Sequence, residues 1–303
     1  MLSRIAESFF WIGRHLERGE ATARLLAEHH QLMVEDTRVP QELACDLLLD
    51  ALGLEGPGVI TASELVRRVL GDSGDAGTVA GSVSAARENA RAIRDAVSGE
   101  LFEALNAAYL ALPRSLRRLS SPGVVLHGVL ERLAVVAGVL DWTMPRDEAL
   151  LFLRLGRSVE RIDMTARLLA VRHDLGWPEG GPATTLRAAG GMHAFLRNGR
   201  PMTGAAVREF LMLDPVFPRS MLVQATLAED TVRELDQVTG TGSSTSLLRT
   251  VGMLRSELEY SVAGVTPETV DDLATRALDA ATAAGGEVDA AFFRQLGTVV
   301  WSH

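Results

Sequence analysis

The amino-acid sequence predicts an all-α fold, a helical bundle built from two quasi-equivalent halves. Hydrophobic residues make up 47% of the 303 residues and aromatic residues only 5%. This mix suits helices better than sheets, because β-branched and aromatic residues favour strands. Apolar residues recur at helical spacing along most of the chain, and no segment has a convincing strand pattern. A long segment near the start is also repeated in the middle of the chain.

The repeat pairs residues 9–30 with residues 152–173, at an offset of 143 and without a gap. Twelve of the 22 aligned positions are identical, and most of the others are mild changes. An internal repeat of this kind indicates related structural units. The identical pairs are Phe9/Phe152, Gly13/Gly156, Arg14/Arg157, Glu17/Glu160, Arg18/Arg161, Thr22/Thr165, Ala23/Ala166, Arg24/Arg167, Leu25/Leu168, Leu26/Leu169, Ala27/Ala170 and His30/His173.

The first half begins with a long helix, because apolar residues such as Ile5 and Ile12 share one helical face. At 1.5 Å per residue this helix spans roughly 45–50 Å. Gly53 ends the second predicted helix, and a capping box from Thr61 to Glu64 opens the third. The predicted helices are 3–35, 40–53, 61–70, 82–98, 100–112 (ended by Pro113) and an apolar helix over 122–143.

The second half begins with the second copy of the long helix, which Pro145 is predicted to open as a first helical residue. Gly- and Pro-rich stretches mark loops at 176–182, 213–220 and 239–246. The remaining predicted helices are 184–197, 203–213, about 221–238, about 247–262, 267–284 and 287–300.

The repeat extends beyond the long helix. Leu70-Gly-Asp72, followed later by Ser82, matches Leu213-Asp214, followed by Ser220; between the Asp and the Ser, the first copy has four extra loop residues. We therefore predict one domain over residues 1–303, with halves 1–120 and 145–303 joined by the 122–143 helix. Related halves commonly pack about a pseudo-two-fold axis, which brings the two long helices face to face.

Composition excludes several classes of function. All 30 basic residues are Arg, so the chain holds neither a P-loop lysine nor a Schiff-base lysine. Cys45 is the only cysteine, which rules out an intrachain disulfide or a thiolate metal cluster. A net charge of −9 argues against nucleic-acid or anionic-membrane binding.

We also expect a soluble, cytoplasmic protein with no membrane partner. The N-terminus lacks a basic region followed by an apolar run, so it is not a secretion signal. The most apolar stretch, 124–142, carries His127, Glu131 and Arg132 and is too polar to span a bilayer. His127 and Glu131 have the spacing of metal ligands on a helix, but no second pair accompanies them, and we predict no metal site.

The charged residues of the repeat lie on the side of each helix opposite its apolar stripe. Each copy places two carboxylates and three guanidinium groups there. They are Arg14, Glu17, Arg18, Glu20 and Arg24 in the first copy, and Arg157, Glu160, Arg161, Asp163 and Arg167 in the second.

Two interpretations of this charge pattern stay open. In the structural one, Glu17 pairs with Arg14 or Arg24, or across to Arg161, because half-buried charges must be paired and Arg forms forked pairs with carboxylates. In the functional one, Arg14, Arg18, Arg157 and Arg161 bind a carboxylate or phosphate, and Glu17 or Glu160 is a general base. Arg24, Arg167 and Arg87 are further candidates for substrate or partner binding. The clusters should lie near each other between the halves.

Gly13-Arg-x-x-Glu-Arg18, followed by Thr22-Ala-Arg-Leu-Leu26, resembles the motif of the bacterial Alpha-E domain, an all-helical family named for its Glu-Arg motif. The resemblance covers nearly the whole chain. Further matching stretches are Met1-Leu-Ser-Arg-Ile-Ala6, Ala86-Arg-Glu-Asn-Ala-Arg91, Met144-Pro-Arg-Asp147 and Leu213-Asp-Pro with Phe217-Pro-Arg-Ser220.

The resemblance implies an association more than an activity. Alpha-E proteins occur beside, or fused to, circularly permuted ATP-grasp proteins, in systems thought to make or modify peptides through ATP-driven amide bonds. A lysine-free chain suits the role of partner subunit, with ATP and Mg²⁺ bound by the ligase and no cofactor bound by this chain. Its Arg/Glu centre would dock the ligase or bind a substrate carboxylate or acyl phosphate. A peptide substrate and a homo-oligomer are both compatible with this role.

Two alternatives are a purely structural scaffold whose Glu-Arg residues only stabilise the fold, and an independent helical enzyme that uses Glu17 and Glu160 as acid and base.

Overall fold

The computed structural model describes residues 1–54, 58, 61–71, 74–116, 121–240, 242, 244–261 and 267–294. Within these residues the protein is an all-α bundle without strands. The helices of the first part are α1 (Ser3–Glu35), α2 (Gln41–Leu52), α3 (Ala62–Gly71), α4 (Val79–Ala92), α5 (Gly99–Leu116) and α6 (Pro122–Thr143). Those of the second part are α7 (Glu148–Ala170), α8 (His173–Gly176), α9 (Gly181–Ala188), α10 (Met192–Arg197), α11 (Gly204–Leu213), α12 (Met221–Thr239), α13 (Thr245–Glu259) and α14 (Pro267–Val288), which continues as a π-helical turn (Asp289–Phe293).

The two repeated segments occupy α1 and α7, which form the central pair of the bundle. Contacts advance in step along both segments, from Met1 with Glu148, through Arg14 with Glu160, to His29 with His173 just beyond α7, so α1 and α7 run parallel. On either side of the pair, α4 packs on α1 and α12 packs on α7. α6 packs on α1 and α5, and α14 packs on α7 and α13.

The central helices approach each other most closely at Gly13 and Gly156. A Cβ atom on Gly13 would lie 2.2 Å from the backbone oxygen of Leu153, and one on Gly156 would lie 2.1 Å from that of Phe10. These contacts are reciprocal, because each glycine meets the residue three positions before the other. Only a residue without a Cβ atom permits this approach. The close approach brings Glu17 and Arg18, one turn after Gly13, against Glu160 and Arg161, one turn after Gly156.

Several predicted boundaries are wrong, and local capping explains the differences. α4 begins at Val79 rather than at residue 82, because the Thr78 side chain caps it by accepting from the backbone N–H of Gly81, and it ends at Ala92 instead of 98. Asp147, rather than Pro145, begins the second long helix by capping the N–H of Ala149.

Pro113 does not end α5, which continues to Leu116. A proline removes one backbone hydrogen bond, and here it falls only in the last turn of the helix. The predicted helix over 184–197 is two helices, α9 and α10, because Gly190 has φ +68° and breaks the path between them. The loop expected at 176–182 is helical at both ends.

The last predicted helix, 287–300, overlaps α14 and the π-helical turn, and its residues 295–300 lie outside the described part. The cap at Gly53 (φ +67°) and the helix spanning 122–143 are confirmed. The expectation that this stretch is too polar to span a bilayer is wrong by length and composition. Among the described residues, α6 is the helix long and apolar enough to cross a membrane, with a mean hydropathy of 1.8 and 33% of that window buried. One such helix is weak evidence, because core helices of soluble proteins pass the same criterion.

Candidate functional site

Glu160 of α7 is paired with two arginines of α1. Its Oε2 accepts from Arg14 Nε at 2.6 Å and from Arg18 Nη2 at 3.0 Å, while its Oε1 accepts from Arg18 Nε at 2.5 Å. The Glu160 side chain has no exposed surface. Burial raises the pKa of Glu160, but the two guanidinium groups outweigh it and hold the pKa below its usual value. Glu160 is therefore a buried carboxylate anion.

Glu17 of α1 forms the reciprocal pair with α7. Arg161 donates to both of its carboxylate oxygens, Nε to Oε1 at 2.7 Å and Nη2 to Oε2 at 2.5 Å. Arg219, in the turn before α12, lies 3.8 Å from Glu17 Oε1. Burial raises the pKa of Glu17, but the charges of Arg161 and Arg219 outweigh this effect and lower the pKa to about 2. This geometry is the cross-helix pair that the structural interpretation expected.

The paired carboxylates have little capacity for acid–base chemistry. A general base works best with a pKa near the pH at which it operates, and the pKa of both Glu17 and Glu160 is shifted away from neutrality. The cavity beside Glu17 and Arg161 measures about 30 Å³, which is room for about one water molecule. The geometry therefore favours the structural interpretation for these two residues.

The other predicted arginines have separate surroundings. Arg24 donates to Glu20 within α1, and Arg167 donates to Asp163 at 2.7 Å and to the carbonyl of Ala51 at the end of α2. Arg87 lies apart from the Glu-Arg clusters, because it donates to Asn106 of α5 and stacks on the Tyr109 ring. The role of Arg87 in binding a substrate or partner stays a prediction, at a position separate from the Glu17 and Glu160 pairs.

Arg157 and Arg14 occupy aligned positions but have different partners. Arg14 is bound to the buried Glu160, whereas Arg157 is 3.5 Å from Asp141 of α6, whose side chain is 60% exposed. Exposed pairs of this length contribute little to stability. Among Arg14, Arg18, Arg157 and Arg161, Arg157 thus has the longest ion pair with a carboxylate.

Arg219 was missed as a site residue by sequence reasoning. Its Nη2 donates to Glu20 Oε2 at 2.7 Å, and together with Arg24 and Arg157 it lines a pocket of about 260 Å³. We call this the α6 pocket, after the helix that forms its far wall. Arg219 lies in the Phe217-Pro-Arg-Ser220 stretch that carries part of the family resemblance. Because this stretch is a turn, helical periodicity could not predict which way the Arg219 side chain would face.

A pair of buried histidines lies where the central helices end, as the repeat places them, but their contact with each other was not predicted. His29 Nδ1 lies 3.0 Å from His173 Nε2, and His29 Nε2 lies 2.9 Å from the carbonyl oxygen of Ala44. Trp177 packs against both rings. Burial lowers the pKa of His29 to about 4 and that of His173 well below its usual value, so both rings are neutral at pH 7.

The weaker candidates have ordinary surroundings. His127 and Glu131 form an exposed pair 3.3 Å apart on α6. Cys45 is buried, and burial raises its thiol pKa to about 11, which makes it a poor nucleophile. Within the described part of the chain, no group of three or more His, Cys, Asp or Glu residues could hold a metal ion.

Residues 1–293 match the model of the Alpha-E family, described as "a predicted alpha-helical domain with a conserved ER motif". The chain belongs to the Alpha-E family. Uncharacterized proteins of Mycobacterium bovis and Mycobacterium tuberculosis are each 25% identical to it over 309 residues, covering 91% of this chain. The Alpha-E chain spans about a third (34%) of the length of these relatives. No solved structure matches it.

Proposed function

We propose that this Alpha-E chain is the helical partner subunit of a circularly permuted ATP-grasp ligase, which forms amide bonds or modifies peptides at the expense of ATP. The observation that carries the proposal is the Alpha-E match across residues 1–293, because the association with such ligases comes with that family. In this arrangement the ligase binds ATP and Mg²⁺, and the Alpha-E chain docks it and helps to hold the substrate.

The state of the two glutamates supports a partner role over an independent enzyme. Glu17 and Glu160 are both held as anions by guanidinium groups, so neither is poised to exchange a proton near pH 7. The length of the mycobacterial relatives supports the same role. Most of each relative lies outside the region that this chain matches, so an Alpha-E-like region there is joined to additional polypeptide.

The exposed side of α6 is the surface that we assign to the ligase. Val124, Val135 and Trp142 have 74%, 59% and 88% of their surface exposed. At about 100° per residue they fall within roughly 20° of one another on the helix, so they form one stripe. The stripe runs for roughly 27 Å. The exposed Glu131 lies on the same line, so the stripe is apolar with one carboxylate within it. An exposed stripe of this kind that ends in a tryptophan suits a protein–protein contact.

The test is co-expression of this chain with the ATP-grasp protein encoded beside it, followed by co-purification and measurement of ADP release with and without the chain. We expect a stable complex and an increase in ADP release when the Alpha-E chain is present. Trp142→Ala should weaken the complex by tenfold or more, roughly the 1.4 kcal/mol that such a change in affinity represents.

Tyr260→Ala is the matched control, because Tyr260 follows α13 and is also an exposed aromatic residue (78%). It should leave the complex unchanged. The proposal fails if the wild-type chain neither binds the ligase nor alters its ADP release. Equal loss with Trp142→Ala and Tyr260→Ala would refute the assignment of the α6 surface.

A further inference from the structure

The α6 pocket is lined by charged groups on one side and by apolar groups on the other. Arg24, Arg157, Arg219 and Glu20 form the charged side, and Leu133 and Leu140 of α6 contribute to the apolar side. Its volume of about 260 Å³ lies just below the range of pockets for drug-sized ligands. The pocket therefore suits a small molecule or the terminal residue of a peptide.

The pocket arises where the two repeated halves differ. Ser82 and Ser220 are aligned positions, and each donates its hydroxyl to a backbone carbonyl six residues earlier. The residue before Ser220 is Arg219, whereas the residue before Ser82 is Gly81. Arg219 thus brings an additional guanidinium group to the Glu17 side, whereas Gly81 at the aligned position has no side chain to offer Glu160.

This additional arginine changes what the repeated arginines do. On the Glu160 side, Arg14 supplies the second guanidinium contact to the buried carboxylate. On the Glu17 side, the second guanidinium group is that of Arg219, 3.8 Å from Glu17 Oε1. Arg157 lines the α6 pocket instead. The Arg157 side chain is 26% exposed, and its ion pair with Asp141 is long at 3.5 Å, while its charge also helps to lower the pKa of Glu17. Its guanidinium group is therefore accessible to a ligand.

The charges around the pocket favour an anion. Glu20 accepts from both Arg24 and Arg219, and Asp141 lies near Arg157 at the rim. Glu17 is matched by Arg161. Three guanidinium groups thus face two carboxylates, which leaves one unit of positive charge. Arg157 can present two parallel N–H groups to a ligand carboxylate in the forked geometry that makes such pairs strong.

We infer that the α6 pocket binds a small carboxylate that carries an apolar substituent, with the carboxylate on Arg157 and the substituent against Leu133 and Leu140. The choice of a carboxylate over other oxyanions rests on the proposed function, because amide-bond formation consumes a carboxylate. The apolar wall gives a second reason, because a free inorganic anion gains nothing from it.

The test measures binding to the isolated 303-residue chain, without ligase or ATP, by isothermal titration calorimetry at pH 7. N-acetyl-L-leucine is the carboxylate probe, N-acetyl-L-leucinamide is its uncharged match, and inorganic phosphate is the competing oxyanion. We expect N-acetyl-L-leucine to bind at least about tenfold more tightly than the amide and more tightly than phosphate.

Arg157→Gln should weaken binding of N-acetyl-L-leucine about tenfold or more, and Arg157→Lys should give an intermediate loss because it keeps the charge without the fork. Arg154→Gln, one turn earlier on α7 and outside the pocket, should bind as the wild type does. Thermal unfolding checks that each variant is folded.

Three results would overturn the inference: no binding of N-acetyl-L-leucine, equal binding of its amide, or unchanged binding by Arg157→Gln. Phosphate binding more tightly than N-acetyl-L-leucine would also overturn the assignment to a carboxylate. These outcomes are separate from failure of the ligase proposal, which is measured by complex formation and ADP release.

Discussion

Replacing Gly13 with alanine should destabilise the protein, although alanine is the better helix former. Taken alone, Gly→Ala inside a helix gains about 0.5–1 kcal/mol. At Gly13 the new Cβ atom would meet the backbone oxygen of Leu153 at 2.2 Å, where ordinary contact begins near 3.4 Å. α1 and α7 would have to separate by about 1.2 Å, because backbone atoms cannot rotate away as a side chain can.

The steric effect should exceed the gain in helix propensity. Over-packing a core typically costs about 1–3 kcal/mol. Separation of the helices also lengthens the contacts between Glu160 and its arginines, and weakening a buried ion pair adds to this cost because the carboxylate stays buried. We therefore expect Gly13→Ala to lower the free energy of unfolding by about 2–4 kcal/mol.

Urea unfolding followed by circular dichroism measures this effect as a shift in midpoint at an unchanged m value. Gly138→Ala is the control, because Gly138 lies within α6 and a Cβ atom there would meet nothing within 4 Å. It should raise stability by about 0.5–1 kcal/mol. If Gly13→Ala shifts the midpoint in the same direction as Gly138→Ala, the close crossing of α1 and α7 is refuted.

Two more predictions concern the charges and the histidines. Glu160→Gln should lower the free energy of unfolding by about 3–5 kcal/mol, because it leaves two guanidinium groups without their buried carboxylate. The control, Glu131→Gln at an exposed position, should change it by less than about 0.5 kcal/mol. Equal urea midpoints for the two variants would contradict this prediction. Acid should also destabilise the fold in two stages. Between pH 6.5 and 4 the unfolded chain binds protons that the buried His29 and His173 do not, and between pH 4.5 and 2 the folded state progressively loses the advantage of its ionised Glu17. His29 alone accounts for a loss of up to about 3 kcal/mol in the free energy of unfolding over this range. The urea midpoint of His29→Gln should therefore fall less between pH 6.5 and 4 than that of the wild type. A wild-type midpoint independent of pH in that range would exclude the effect.

The sequence predicted the centre of the fold well because the repeat carries its geometry. Identical Glu-Arg spacing on two helices implied that the clusters meet, and the contacts of Arg14 and Arg161 confirm this expectation. Partner choice within the clusters was not predictable, because it depends on the helix crossing at Gly13 and on Arg219, which a turn supplies. The break at Gly190-Gly191 had a visible signal in the two consecutive glycines, but the apolar spacing on either side hid it.

The buried ion pairs are better suited to fixing the register of the central helices than to adding stability. Apolar contacts between parallel helices tolerate sliding, whereas a shift by one turn, about 5.4 Å, would remove Glu160 from both of its arginines and leave a carboxylate buried without a partner. That state is disfavoured by several kcal/mol, even though the formed pairs gain little over an apolar core. Gly13 and Gly156 set the distance between α1 and α7, and the two glutamates set their axial position. Arg14, Arg18, Arg161 and Arg219 make the ion pairs of those glutamates, whereas Arg157 acts on Glu17 only through its charge and pairs with the exposed Asp141. The register that pairs Arg14 with Glu160 thus places Arg157 at the α6 pocket.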